Sequence, residues 1–297
     1  MLVSLKELMA DAEEKGYAVG AFNAVTYQSL AAAIEAAEEL GVGIILNHAE
    51  VHFPIISLEE IGPIMVERAK KAKVPVCVNL DHGSTIETCI KAIQLGFNSI
   101  MLDASAEDYE TNVKNTALVT KLAHSVGVEV EAELGHVFLS EIGLSTTVGE
   151  SLDNLEDYTD ADAENLYTDP DLAKDFVERT GVDALAIAFG TAHGVYKKKP
   201  VLDLERIKLI KEKVNIPLVM HGGSGLTKEE FQTAIKNGIR KINYYTYMAI
   251  EGGKAIKDYI ENIEDGKTLF FHDISVIAKN AMKEDIKNAI RMFSLMD

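Results

Sequence analysis

Three histidines, His82, His193 and His221, sit at or just past the ends of short apolar, β-branched runs at residues 75–80, 183–189 and 216–220. They are far apart in sequence, but parallel strands of one barrel would bring them together. Three imidazoles with one open position are a common way to hold a catalytic zinc ion. Asp103 and Glu133 end two further runs and extend the set of metal-ligand side chains. Glu133 reads as a fourth or alternate ligand, or as a group that orients an imidazole, and strand alternation puts Glu131 on the same face. Asp81 precedes His82 directly, which suits a general acid or base working beside a Lewis acid. Its plainer reading is a carboxylate favoured at a helix N-terminus.

A second kind of chemistry is carried by glycine. His221-Gly222-Gly223-Ser224-Gly225 runs into a helix opened by Thr227, and backbone N–H groups exposed ahead of a helix cradle anions. Asn243, Tyr244, Tyr245 and Thr246, after the next strand, are placed to complete that cradle. Gly190-Thr191-Ala192-His193-Gly194 is the other glycine-rich loop, with Lys197 close behind. Asn23, at the end of the first strand, joins the substrate-facing set.

These groups need a scaffold. Eight buried strands are predicted, at residues 18–22, 43–46, 74–80, 99–102, 128–134, 184–189, 216–220 and 239–242. Helical spacing fills the intervals, as in Ile86, Cys89, Ile90 and Ile93. The pairs Ser4/Glu7, Ser57/Glu60, Ser84/Glu87 and Thr227/Glu230 have capping-box spacing, and Gly41, Gly96 and Gly238 fall where helices stop. Eight strand–helix units in 297 residues predict an α/β fold, a (β/α)8 TIM barrel in a single domain. The alternative, an open doubly wound sheet, would place a glycine-rich dinucleotide turn after strand one, where Phe22-Asn23-Ala24-Val25 stands instead. One stretch breaks the rhythm: residues 135–171, after strand five, are long, polar and acidic, and no Lys or Arg occurs between Lys121 and Lys174. That length implies a lid or an excursion on the catalytic rim.

Composition sets the class. A net charge of −18 argues against nucleic acid and anionic membranes as partners. No apolar run reaches the roughly 18 residues of a spanning helix, and the N-terminus has no signal-peptide pattern. Cys77 and Cys89 read as small core residues in a reducing, cytoplasmic compartment.

Together, Asn79-Leu80-Asp81-His82-Gly83, Val130-Glu131-Ala132-Glu133-Leu134-Gly135, the 189–197 segment around Gly190-Thr191-Ala192-His193-Gly194, His221-Gly222-Gly223-Ser224-Gly225 and Lys241-Ile242-Asn243 resemble the class II, metal-dependent ketose-bisphosphate aldolases, the group of the fructose- and tagatose-1,6-bisphosphate enzymes. The resemblance implies a zinc-dependent barrel lyase, a homodimer or homotetramer. Such an enzyme reversibly cleaves a phosphorylated ketose to dihydroxyacetone phosphate and an aldehyde through a zinc-stabilised enediolate. By motif position His82, His193 and His221 match the zinc ligands, and Asp81 matches the proton donor. Gly194, Gly222 to Ser224 and Asn243 to Thr246 match the dihydroxyacetone phosphate site, with a monovalent cation near the phosphate in many members. Asn243 is also placed to hydrogen-bond the developing oxyanion.

The chain departs from the family pattern in several places. Relatives usually follow the Glu-Leu-Gly of strand five with a Gly-Gly loop whose glutamate moves the carbon-bound proton. Here His136-Val137-Phe138-Leu139-Ser140-Glu141 follows, leaving Glu141 and Glu150 as candidate bases. Ala49 stands where many relatives have a phosphate-contacting serine. Tyr245 and Tyr247 flank Thr246 where an acidic residue is common, and the arginine-containing tail of some relatives is absent. Two alternatives stay open. One is a phosphosugar-binding paralogue without turnover or with altered specificity. The other is a metal-dependent hydrolase on the same barrel, which would want a His-x-His pair ending strand one.

Overall fold

The computed structural model describes residues 1–135, 137–139, 167–195, 200–264 and 266–296. Eight parallel strands close into a barrel: β1 (Val19–Asn23), β2 (Ile44–Ala49), β3 (Val76–Gly83), β4 (Ser99–Leu102), β5 (Glu129–Leu134), β7 (Ala184–Ile187), β9 (Leu218–Met220) and β10 (Ile239–Tyr244). The order around the cylinder follows the chain, and β10 pairs with β1 to shut it. The remaining strands, β6 (Phe138–Leu139) and β8 (Ala192–His193), form a two-stranded ribbon beside the barrel mouth. All eight predicted strands are therefore present, and the sixth stops at Ile187, so His193 lies on the ribbon rather than at a barrel strand end.

Helices cover the outside: α1 (Leu5–Lys15), α2 (Tyr27–Leu40), α3 (Leu58–Lys71), α4 (Ile86–Gln94), α5 (Tyr109–His124), α6 (Pro170–Thr180), α7 (Leu204–Lys211), α8 (Lys228–Asn237), α9 (Thr246–Glu261) and α10 (Phe271–Phe293). Three of the four predicted capping boxes form, at Ser4/Glu7, Ser57/Glu60 and Thr227/Glu230. The fourth, Ser84/Glu87, does not. Glu50 accepts hydrogen bonds from the Ser84 amide (2.6 Å) and hydroxyl (2.8 Å), and Thr85 caps α4 through the Thr88 amide. A tertiary carboxylate outcompetes the local one there.

α1 is the exception among these ten helices. Its apolar face, Leu5, Leu8, Met9 and Ala12, packs with the inward-facing Val19, Ala21, Ile45, Cys77, Ala184 and Val219 at the amino ends of the strands. That end of the barrel is thereby plugged with side chains, as barrel interiors require. The larger core lies between the strands and the outer helices. Cys77 and Cys89 are free and buried.

Above the plug the interior turns polar. Ser99 donates to Asn79 (2.7 Å), Asn79 to Asn47 (3.1 Å), Asn47 to Asn243 (3.1 Å) and Asn243 to Asp81 (2.9 Å). Opposite them, the buried Lys241 ammonium pairs with the buried Glu131 carboxylate. Each of these groups has its partner, as buried polar groups must.

Candidate metal centre and cavity

At the carboxyl ends of the strands a cavity of about 450 Å³ opens, lined by Asp81, His82, His193, Asn243 and residues of the surrounding loops. His82, His193 and His221 meet at its floor. Their ring centroids lie 4.9 Å (His82–His193), 4.6 Å (His82–His221) and 5.7 Å (His193–His221) apart. One ring nitrogen from each falls within 4.8 Å of the others.

Local backbone geometry explains how neighbours in sequence both reach this floor. Asp81 and His82 would face opposite sides of a regular strand. The β3–β4 register shifts between Leu80 and Gly83, and His82 takes φ 47°. A non-glycine residue in that left-handed region is uncommon and costs about 1–2 kcal/mol. The bulge turns both side chains into the cavity, the kind of strain found at functional sites. A second constraint brings the His193 and His221 segments together. Gly222 has φ 64°, and a Cβ there would stand 2.5 Å from the Ala192 carbonyl group, so only glycine lets the two loops touch.

Hydrogen bonding selects which ring nitrogens are available. His82 Nδ1 is 2.6 Å from Asp103 Oδ2, leaving Nε2 buried without a partner. His221 Nε2 is 2.9 Å from Glu131, leaving Nδ1 buried with no hydrogen bond, 3.0 Å from an equally unbonded Glu133 Oε2. Burial disfavours a charge on His82, but Asp81, Asp103 and Glu133 outweigh it and raise its pKa to about 10. His221 is likewise pushed up: burial and His82 oppose its charge, while Glu131 and Glu133 favour it more. Asp103 is held below the ordinary carboxylate range, its burial outweighed by its bond to His82. Carboxylates that favour a cation, around imidazole nitrogens lacking hydrogen bonds, are the environment of a divalent ion, which replaces protons on binding. The residues present fit a metal.

The other sequence-predicted residues divide. Asn23, Asp103, Glu133, Gly194, Gly222, Ser224, Asn243, Tyr244, Tyr245 and Thr246 all border the cavity. Gly223 does not: a Cβ there would meet Phe231, Met220 and Ile242 at 3.1–3.3 Å, so its Cα faces the core. Glu141, Glu150 and Lys197 lie outside the described residues. α9 begins at Thr246 with no side-chain cap from Tyr245 and no acidic residue in its first turn, which keeps its amide end suited to an anion.

Sequence reasoning assigned no role to four groups. Lys241, Asn79 and Asn47 are buried polar residues inside apolar strand runs, and that contrast was the available signal. His52 lines the cavity from the β2–α3 connection with its ring on Tyr245, centroids 4.6 Å apart. Only its spacing of four from His48 marked it.

Residues 3–297 match the family model described as fructose-bisphosphate aldolase class-II. The Escherichia coli (strain K12) protein named uncharacterized protein YdjI is 38% identical over 293 residues, 99% of this chain and 98% of the relative. A fructose-bisphosphate aldolase of Staphylococcus aureus (strain Mu50) is 38% identical over 295 residues, 98% of this chain and 97% of the relative. Among solved structures, the YdjI aldolase from Escherichia coli K12 superimposes with a TM-score of 0.83 at 34% identity, over 99% of this chain and 97% of that one.

Proposed function

The chain belongs to the class II fructose-bisphosphate aldolase family, and on that footing we propose that it is a zinc-dependent lyase that cleaves a phosphorylated ketose to dihydroxyacetone phosphate and an aldehyde. The observation that carries the reading is the meeting of three imidazoles, His221 buried and His82 and His193 partly buried, beside Asp81, in a cavity that also reaches Ser224 and the amide end of α9.

His82 through Nε2, His221 through Nδ1 and His193 would hold the ion. Glu133, beside His221 Nδ1, is the alternate ligand, and Asp103 acts by fixing the His82 ring rather than by binding metal. When bound, the divalent ion supplies a Lewis acid that draws electron density from the ketose carbonyl. The Asp81 carboxylate takes the proton from the C4 hydroxyl as the C3–C4 bond breaks. The bonding pair passes to C3 and spreads into the adjoining carbonyl as an enediolate, and the C4 oxygen becomes the aldehyde. A proton delivered to C3 completes dihydroxyacetone phosphate, and Glu141 and Glu150 are the candidate donors. Asn243 donates one amide hydrogen to Asp81, which aims that carboxylate and leaves the second hydrogen for substrate oxygen. The Gly222 and Ser224 loop, Gly194 and the amides at Thr246 hold the phosphate, whose binding orients the reacting carbons.

Cleavage of fructose 1,6-bisphosphate and simpler ketose 1-phosphates, coupled to a dihydroxyacetone phosphate readout, tests the reading. Chelation should abolish turnover and zinc should restore it. Turnover that persists in metal-free protein would remove the ion from the reaction.

A further inference from the structure

Past Asp81 the cavity has a wall that the reaction above does not use. Ala49 lies opposite Asp81 in the β2–β3 register, and the turn Glu50–His52 follows it. If Asp81 serves the hydroxyl of the scissile bond, this wall meets the carbons that leave as aldehyde. The turn is firmly held. Glu50 is bonded to Ser84, and the buried His48 ring lies 3.0 Å from the Ala24 carbonyl and 3.2 Å from that of Ile56. His48 also stacks on Phe53, and His52 packs on Tyr245.

His52 is 3% exposed, and its Nδ1 is buried without a hydrogen-bond partner. A buried N–H with no acceptor costs more than a buried lone pair, so the ring proton belongs on Nε2. Burial holds the imidazole uncharged, with its pKa lowered to about 4. The ring therefore offers the cavity a neutral hydrogen-bond donor. Around it the wall carries the carboxylates Glu50, Asp81 and Asp103, and no Lys or Arg lines the cavity among the described residues. Outside them, 140–166 contains neither residue type, whereas 196–199 carries Lys197, Lys198 and Lys199. Among the described side chains, a phosphate dianion placed against His52 would face like charge with no ammonium or guanidinium group to offset it.

We propose that His52 recognises the aldehyde half of the substrate, and that this half is an uncharged hydroxyaldehyde rather than a phosphorylated one. The proposal rests on the aldolase reading and narrows it to ketose 1-phosphates. Nε2–H of His52 donates to a hydroxyl oxygen of the aldehyde chain, while Tyr245 fixes the plane of the ring.

Two readouts on the zinc-loaded enzyme separate this proposal from its premise. The first is exchange of the C3 proton of dihydroxyacetone phosphate with heavy water, followed by NMR, which needs no aldehyde. The second is condensation of dihydroxyacetone phosphate with glyceraldehyde or with glyceraldehyde 3-phosphate. The native enzyme should exchange the proton and favour glyceraldehyde by about tenfold in kcat/KM. No exchange would overturn the aldolase reading itself. Exchange with kcat/KM equal for the two aldehydes, or higher for the phosphorylated one, would overturn the present proposal alone. His52→Leu should lower condensation with glyceraldehyde about tenfold more than it lowers exchange, chiefly through KM, the loss of about one neutral hydrogen bond. His52→Gln, which keeps a neutral donor, should recover most of the loss. A His52→Leu enzyme with an unchanged KM for glyceraldehyde, or with exchange and condensation reduced alike, would also overturn it. The comparison of the two aldehydes needs no variant, so it stands whether or not His52→Leu folds.

Discussion

The two ends of the barrel interior are built on opposite terms. At the amino end, small and aliphatic side chains of the strands close against α1, with the partly buried Glu129 carboxylate accepting from the Leu5 amide. At the carboxyl end the inward positions hold Glu131, Lys241, Asn47, Asn79 and His221, all fully buried. The first half contributes burial of apolar area, and its loss is felt as cavity formation. In the second half, removing one partner strands another polar group away from water. Stability and chemistry thus occupy different layers of one cylinder, and substitutions at the two ends should fail differently.

The largest effect is expected at the mouth. Asp81→Asn should lower the cleavage rate by about 10²–10⁴-fold, the usual range for a lost general acid or base, with little change in melting temperature. Rate and stability falling together would erase the division between layers. Deeper in the polar half, Lys241→Met should destabilise the protein by about 3–5 kcal/mol, because Glu131 is left as an uncompensated buried charge. Denaturant unfolding measures it, and zinc affinity should weaken as well, since Glu131 sets the free nitrogen of His221. At the plug, Leu8→Ala should cost about 2–4 kcal/mol while kcat stays near its native value, the converse of Asp81→Asn.

The smallest effect concerns pH. His52 binds its proton near pH 4 in the folded state and near 6.5 when unfolded. Between these values the unfolded chain holds more protons, so its contribution to stability is present above about pH 6.5 and is lost as pH falls toward 4. The loss is at most about 3 kcal/mol. His52→Gln should flatten the stability profile across that window, and an unaltered profile would mean the ring titrates normally.

Much of this was legible beforehand because the strands are fully buried. Runs such as 184–189 and 216–220 contain no charged or hydrogen-bonding side chain, and polar groups at their ends follow from the barrel. Barrel closure foretold that His82, His193 and His221 would converge, but the bulge at His82, the ribbon carrying His193 and the close approach at Gly222 complete the meeting. What stayed hidden depends on contacts between distant segments. The Ser84 cap gave way to Glu50, a residue 34 positions away. The left-handed backbone at His82 is imposed by the register against β4, which local propensity does not encode. Asp103 read as a ligand because its type and place allow it, and its bond to His82, which also suits an orienting part, is a contact between distant segments. α1 showed a sound capping box, yet nothing local distinguishes a plug from an outer helix.

That plug has a kinetic corollary. On the aldolase reading, the described residues close the base of the barrel around α1, which leaves its mouth as the route by which both fragments of a cleaved sugar depart. The fragment nearer the threshold goes first and the one seated over the imidazoles waits behind it. Turnover is then a queue, and the traffic order is written into the architecture before any side chain of the wall is considered.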